Sequence, residues 1–475
     1  MTIDIDLTEL SSDKLTGISY RDLWAMPQSE VDALQLQLLK KRFGELIDKV
    51  VTLGKLASLQ KVTAINAIND VVPLLFQHTA YKSYPMTLLE KGNFKALTQW
   101  LQKLTAHDLS HIDASQCKSI DEWLQLLDDE TPLSIVHSSG TSGKLSLIPR
   151  DKDDLNRFVT CRLRNNEGYA QEPNRVADYL NGSKKHVPII YPSYRYGRYG
   201  GLRNLQLMVE KFQSQDCVYT IYSDLMSADV ASLAGRVAGA EAKGMLDQLD
   251  IPEHLLTKFK QSLERQGDQK ALEVAFIERV IKECQGKEVI FMGVPSILMQ
   301  VVRMAKERGI TKLFDPKSII FTGGGSKGIV LPDDWKQQVE ELVGTKPYTV
   351  YGMTECTSQL AECDYGNYHI TPLLIPFILD PETGGPLPRE GKQTGRFAWF
   401  DLLAETYWGG FVTGDEITGH WDESCKCGRH GFYVEPTIQR YSSKSDDGND
   451  KINCAGAADA HERALEFLND LSKNV

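Results

Sequence analysis

The chain has 475 residues, 41% hydrophobic and 25% charged. That balance excludes a wholly disordered, collagen-like or low-complexity polymer. Lys and Arg number 53 against 64 Asp and Glu, and the resulting charge of −11 does not point to a nucleic-acid or membrane partner. No run of about 18 apolar residues marks a transmembrane helix, and the stretch from Met1 to Lys14 lacks the basic-then-apolar pattern of a secretory signal. The nine cysteines read as free thiols and a metal site in a cytoplasmic protein, not as a disulfide framework.

Val31, Leu34, Leu38, Phe43, Leu46, Ile47 and Val50 fall at helical spacing and predict an amphipathic helix over 29–50. Further helices are expected over 63–76 and 93–105, making residues 1–130 a helical N-terminal region. Over 131–371 the texture changes. β-branched and aromatic runs at 134–137, 187–191, 218–222, 287–292 and 318–321 read as strands, with helices between them at 271–283 and 296–308. This alternation predicts an α/β core with mostly parallel sheet. Residues 372–441 carry the Pro/Gly-rich stretch DPETGGPLPREGKQTG and candidate strands at 397–404 and 431–440, a small β-rich subdomain. Residues 442–475 read as a hinge and one helix at 458–471.

Four loops carry chemistry. Ser138, Ser139, Gly140, Thr141, Ser142, Gly143 and Lys144 follow a strand, and such glycines turn backbone N–H groups toward an anion while hydroxyls and a lysine add donors. The loop is not a Walker A motif, because Ser138 and Leu145 stand where that motif needs a glycine and a hydroxyl residue. The second loop, Thr322 to Gly328, fits either close backbone approach to a nucleotide or a nucleophile elbow at Ser326. An elbow serine sits at the start of a helix, yet Ile329 to Pro332 separate Ser326 from the expected helix 333–343. The third, Tyr348 to Glu355, ends in a Thr–Glu pair suited to a phosphate oxygen and Mg²⁺. In the fourth, Phe411 to Asp415, a carboxylate on a turn can accept hydrogen bonds from a ribose diol.

In this order, with gaps of roughly 200 and 60 residues, the loops resemble the motifs of the acyl-adenylate-forming superfamily of acyl-CoA ligases, adenylation domains and luciferases. Tyr194 to Gly201 and the Cys425-Lys-Cys-Gly-Arg429 element resemble the phenylacetate-CoA ligase branch, and within it acyl-protein synthetases and phenazine-antibiotic adenylating proteins. The resemblance implies that Ser138 to Lys144 hold the ATP phosphates and that Gly323, Gly324 and Gly325 line the adenine and acyl channel. It places Tyr351, Gly352 and Met353 near adenine, Thr354 at the α-phosphate, Glu355 on Mg²⁺ and Asp415 on the ribose. The basic residue expected downstream is Lys444 or Arg440. The family's mobile C-terminal lobe is expected to be reduced to one helix, which leaves adenylation in place and puts efficient transfer to coenzyme A in doubt.

Cys363, His369, Cys425 and Cys427 form an ordinary structural zinc set, provided the fold closes the 55-residue gap between His369 and Cys425. Cys356 could replace Cys363. The resembled branch can bind zinc with a similar set, and its acyl-protein synthetases pass the acyl group to a cysteine near the C-terminus, which makes Cys454 an acceptor candidate beside the simpler reading of a buried thiol. His137, Tyr196, Tyr199 and Met292 are candidates to line the acid pocket, though core packing explains them as well. The expected function is ATP-dependent adenylation of an aromatic, cyclic or fatty carboxylic acid, with the acyl group passed to an enzyme, carrier protein or small nucleophile. The competing readings are an acid–thiol ligase, a serine hydrolase using Ser326 with Asp415 and His420 or His430, and a silent nucleotide-binding partner.

Overall fold

The computed structural model describes residues 11–138, 144–168, 175–241, 244–245, 251–266, 269–323 and 330–441. The chain forms two compact units, each drawn from separated stretches of sequence. No helix among the described residues is long and apolar enough to cross a membrane.

Among the described residues, one unit comprises 137–138, 144–145 and those within 175–350. Its sheet runs in the order Tyr348–Tyr351, Ile319–Thr322, Ile290–Gly293, Ile189–Ile190, Val218–Tyr219, and every pairing is parallel. Ile290 to Met292 and Ile319 to Thr322 are buried at every position, as expected where helices cover both faces of a parallel sheet. The helices Gln269–Cys284 and Pro295–Glu307 supply Ile277, Val280, Leu298 and Val301 to the core around Phe291 and Ile320. Pro295 takes the first helical turn, where its missing N–H costs nothing.

The expected strand over 187–191 shortens to Ile189–Ile190 between Pro188 and Pro192, which cannot donate to a ladder. The run over 218–222 divides. Val218–Tyr219 stays in the sheet, while Tyr222–Met226 pairs in parallel with Tyr194–Gly197 as a separate ribbon. Gly197 sits there at φ 150°, and a Cβ would lie 2.6 Å from Leu202 Cδ1, so only glycine fits.

Among the described residues, the other unit comprises 11–136, 146–168 and 351–441. Its sheet runs Leu374–Leu379, Lys392–Asp401, Gly410–His420, Tyr433–Val434, Tyr368–His369, Leu360–Glu362. The neighbouring pairs described within it are antiparallel. Phe76–Gln77 adds a short parallel strand against Phe411 and Val412. The helices Gln28–Leu46 and Val51–Gln60 share a core with it, built on Leu39, Phe43, Leu53, Trp399, Tyr407, Trp408 and Phe411. Buried Trp408 keeps its indole N–H satisfied by donating to the Leu74 carbonyl at 2.8 Å.

The sequence expectation of a helix over 63–76 gives way to a 3₁₀ helix Ile68–Leu74 followed by the strand Phe76–Gln77. Asp70 accepts from the backbone N–H groups of Asn66 and Ala67, and Pro73 removes a donor, so an α-helix is never closed there. The third predicted helix is present as Phe94–Gln102, with Asn93 capping the Ala96 N–H at 3.1 Å. The segment 431–440 holds two short strands, Tyr433–Val434 and Gln439–Arg440.

Candidate active site and metal centre

Within the antiparallel unit, Tyr351 is followed by a turn that carries Gly352, Met353, Thr354 and Glu355. The Tyr351 hydroxyl donates to Asp415 Oδ2 at 2.7 Å. Asp415 lies on the long strand Gly410–His420, directly opposite Arg440, whose Nε is 3.4 Å from Asp415 Oδ1. Its backbone N–H donates to the Thr413 hydroxyl, which donates in turn to the Phe397 carbonyl. Asp415 is only 2% exposed. Burial, with the Asp415 charge adding, raises the Tyr351 phenol well above its ordinary value, so it stays a donor. Tyr351 packs beside the rings of Phe397 and Tyr368. A Cβ on Gly352 would come 2.8 Å from Gln359 Cγ.

Glu355 is buried, and burial pushes its carboxyl above the ordinary range, against the lowering effect of Arg150, Lys82 and Ser146. A carboxylate held in such a place has a physical use for a cation. The residues that sequence reasoning missed lie behind this turn. Arg150, 1% exposed, donates twice to the Thr354 carbonyl, from Nη2 at 2.8 Å and Nε at 3.2 Å. Its Nη1 reaches Asp154 Oδ2 at 2.7 Å and Thr357 Oγ1 at 2.9 Å. Thr357 donates its backbone N–H to buried Asp401, and Tyr407 donates its hydroxyl to the Glu355 carbonyl at 3.3 Å. Arg150 and Asp154 stand at i, i+4 within the charged run 150–154, so their spacing alone did not single them out.

In the parallel unit, His137 is fully buried, its backbone N–H bound to the Arg198 carbonyl and its ring 6.5 Å from that of Tyr199. His137 Nδ1 is 2.8 Å from the Ser138 carbonyl, an acceptor, which assigns the proton to Nδ1. Met292 is buried with Asn204 Nδ2 3.8 Å from its sulfur. Tyr196, in contrast, is 46% exposed, with the Arg195 guanidinium over its ring. Burial lowers the Lys144 ammonium. Gly323 closes the strand Ile319–Thr322. Ser139, Gly140, Thr141, Ser142 and Gly143, with Gly324, Gly325, Ser326, Lys444, Cys454 and the helix expected at 458–471, lie outside the described residues.

The metal candidates converge. The ligand atoms of Cys363, His369, Cys425 and Cys427 all lie within 4.8 Å of one another. Cys363 Sγ is 3.8 Å from Cys425 Sγ, and Cys427 Sγ is 3.3 Å from His369 Nε2. A tetrahedron with Zn–S of about 2.3 Å has S···S edges of about 3.8 Å, so the cage has the right size. Pairing of Tyr368–His369 with both Leu360–Glu362 and Tyr433–Val434 closes the long sequence gap. Burial, with Arg429 adding, drives His369 down to about 3, leaving the neutral imidazole that ligates a metal. The Cys425 thiol is lowered despite its burial, through the Cys427 N–H and the Asn367 amide. Cys356 is not in the cage; its thiol turns to the Ser358 carbonyl.

The serine of the hydrolase reading, Ser326, lies outside the described residues, and the contacts of its other candidates run elsewhere. Asp415 faces Tyr351 and Arg440, while His420 sits between Glu435 at 2.8 Å and Glu423 at 3.1 Å, and His430 meets Ser424.

No family model matches the sequence, and no curated protein matches it. Among solved structures, 2-hydroxyisobutyryl-CoA ligase in an open conformation with 2-HIB-AMP and CoA superimposes with a TM-score of 0.50 at 12% identity, over 89% of this chain and 71% of that one. The same ligase in its thioesterification state gives a TM-score of 0.51 at 12% identity, over 88% and 70%. The chain therefore shares the fold of this acyl-CoA ligase, a mixed α/β body with a large sheet and many helices.

Proposed function

We propose that the protein activates a carboxylic acid with Mg·ATP, forming an acyl-AMP and releasing pyrophosphate, in the cytoplasm. The observation that carries this reading is the Tyr351–Asp415–Arg440 cluster joined by one short turn to Thr354 and buried Glu355. A fold shared with a ligase solved with an acyl-AMP supports it. In this reading Asp415 accepts from the ribose hydroxyls while Tyr351 and Arg440 fix its carboxylate. Thr354 donates to the α-phosphate, and Glu355 holds Mg²⁺, which supplies charge neutralisation when bound. Lys144 and the loop before it carry the leaving phosphates. An oxygen of the ionised carboxylate attacks the α-phosphorus, the bond to the bridging oxygen breaks, and pyrophosphate leaves with the electron pair. No general base is required, so the protein's task is positioning.

The four-residue cage is proposed to hold structural zinc, since its donors and edge lengths suit that ion. A second reading, transfer of the acyl group to CoA, is favoured by the CoA bound in both ligase structures. The test is acid-dependent ATP–pyrophosphate exchange, followed by CoA addition. Acyl-CoA appearing at the rate of adenylate consumption supports the second reading, and acyl-AMP persisting in the presence of CoA supports a separate acceptor.

A further inference from the structure

The Thr354–Glu355 segment is a turn and not part of a helix or strand, so little regular hydrogen bonding holds it. Its own backbone supplies the Cys356 N–H to Met353 carbonyl bond at 3.2 Å. The remaining restraints come from side chains behind it. Arg150 grips the Thr354 carbonyl with two donors, Tyr407 grips the Glu355 carbonyl, and Asp401 accepts the Thr357 N–H. Arg150 is itself fixed, because Nη1 is shared by Asp154 and Thr357, and the Thr357 hydroxyl donates to the other Asp154 oxygen at 3.2 Å. Its guanidinium carbon stands 5.4 Å from the Tyr407 ring centroid and 5.6 Å from that of Phe158.

The geometry points to Arg150 as a positioning residue that sets the Thr354–Glu355 turn for Mg²⁺ and the α-phosphate, with Asp154 and Thr357 holding Arg150 in register. This rests on the proposed adenylation.

A buried Arg beside Asp154 and Asp401 could serve charge balance alone. The contacts distinguish the two roles. Charge balance needs one cation near the carboxylates, and lysine supplies that. Holding a carbonyl on one side and a carboxylate and hydroxyl on the other needs a planar fork with several donors, which lysine lacks. The fork also acts on the main chain of the turn, whose displacement moves both side chains at once. A misplacement of about 1 Å at such a site costs on the order of 10²-fold in rate.

The deciding variant is Arg150→Lys, with Tyr407→Phe as a second probe that frees the Glu355 carbonyl and leaves the ion pair intact. Each is compared with wild type by thermal denaturation, ATP titration with and without Mg²⁺, and pyrophosphate exchange. The expected result is a folded Arg150→Lys protein whose Mg²⁺-free ATP affinity is unchanged. The tightening that Mg²⁺ brings is lost, and kcat for exchange falls about 100-fold with the KM for the acid within about 3-fold. Tyr407→Phe moves in the same direction to a smaller extent. Arg150→Lys with wild-type kcat and the full Mg²⁺ effect overturns the positioning role and leaves charge balance. If Arg150→Lys does not fold, Tyr407→Phe decides: a weakened Mg²⁺ effect supports the clamp, and the full wild-type effect overturns it. Wild type that binds no ATP overturns the adenylation reading and this inference together. Wild type that binds ATP without exchanging leaves the Mg²⁺ titration as the deciding measurement.

Discussion

A carboxyl group as buried as Glu355 pays for its desolvation only when a cation or a proton arrives, and burial has already raised its proton affinity. Glu355→Gln removes the charge and keeps the shape. We expect it to lower exchange about 10²–10³-fold, the scale of losing one electrostatic contact to a transition state, while leaving melting unchanged or raised. Lys144→Ala is expected to lower exchange about 10²-fold with an unchanged melting temperature. Normal exchange in both variants contradicts the assignment. Glu355 and Asp415 stood out in the sequence because a Thr–Glu pair and a Gly–Asp turn are local patterns. Arg150 did not, because its partner carbonyl lies 204 residues away and a backbone oxygen leaves no trace in side-chain pattern.

At the scale of elements, the longer β-branched runs and the helices between them match the sequence expectation, while the proline-flanked run at 187–191 shortens to Ile189–Ile190. The strands Ile290–Gly293 and Ile319–Thr322 and the helices around them stand where β-branched runs and helical spacing placed them. The failure at 63–76 has a local cause, since Asp70 and Pro73 compete with the helix that apolar spacing suggests. The metal cage belongs to this scale too, because it ties two short strands to the loop carrying Cys425 and Cys427. Cys425→Ser is expected to cost one equivalent of zinc by elemental analysis and to lower the melting temperature, as loss of a structural metal does. Metal-free wild type contradicts the zinc assignment. A further element-scale prediction concerns the N-terminal helices. Glu405 accepts from Ser12 and pairs with Arg42 and Arg157. Burial works against its charged form, yet Ser12, Arg157 and Arg42 prevail and hold the carboxyl below its ordinary value of 4.5. Its contribution to stability is therefore fully present above that value and fades as pH falls through the lowered one. Glu405→Gln should narrow the gap between melting temperatures at pH 7 and pH 4; an unchanged gap contradicts this staple.

At the scale of the whole molecule, the alternation of strand and helix was legible as an α/β body. The grouping of segments was not. The antiparallel unit takes residues from both sides of the parallel one, and its sheet borrows Phe76–Gln77 from a region that reads as helical. Such pairings depend on which apolar faces meet, and no local pattern encodes that. The same non-local closure builds the two chemical centres, Tyr351 with Asp415 across 64 residues and Cys363 with Cys425 across 62. The Tyr351–Asp415 centre is the one proposed to serve carboxylate adenylation. The most direct measurement is ATP–pyrophosphate exchange by the purified chain across aromatic, cyclic and fatty acids with Mg²⁺. Exchange that appears only with a carboxylic acid and disappears in Glu355→Gln is the predicted result; ATP bound with no exchange for any acid, or no ATP bound at all, would contradict it.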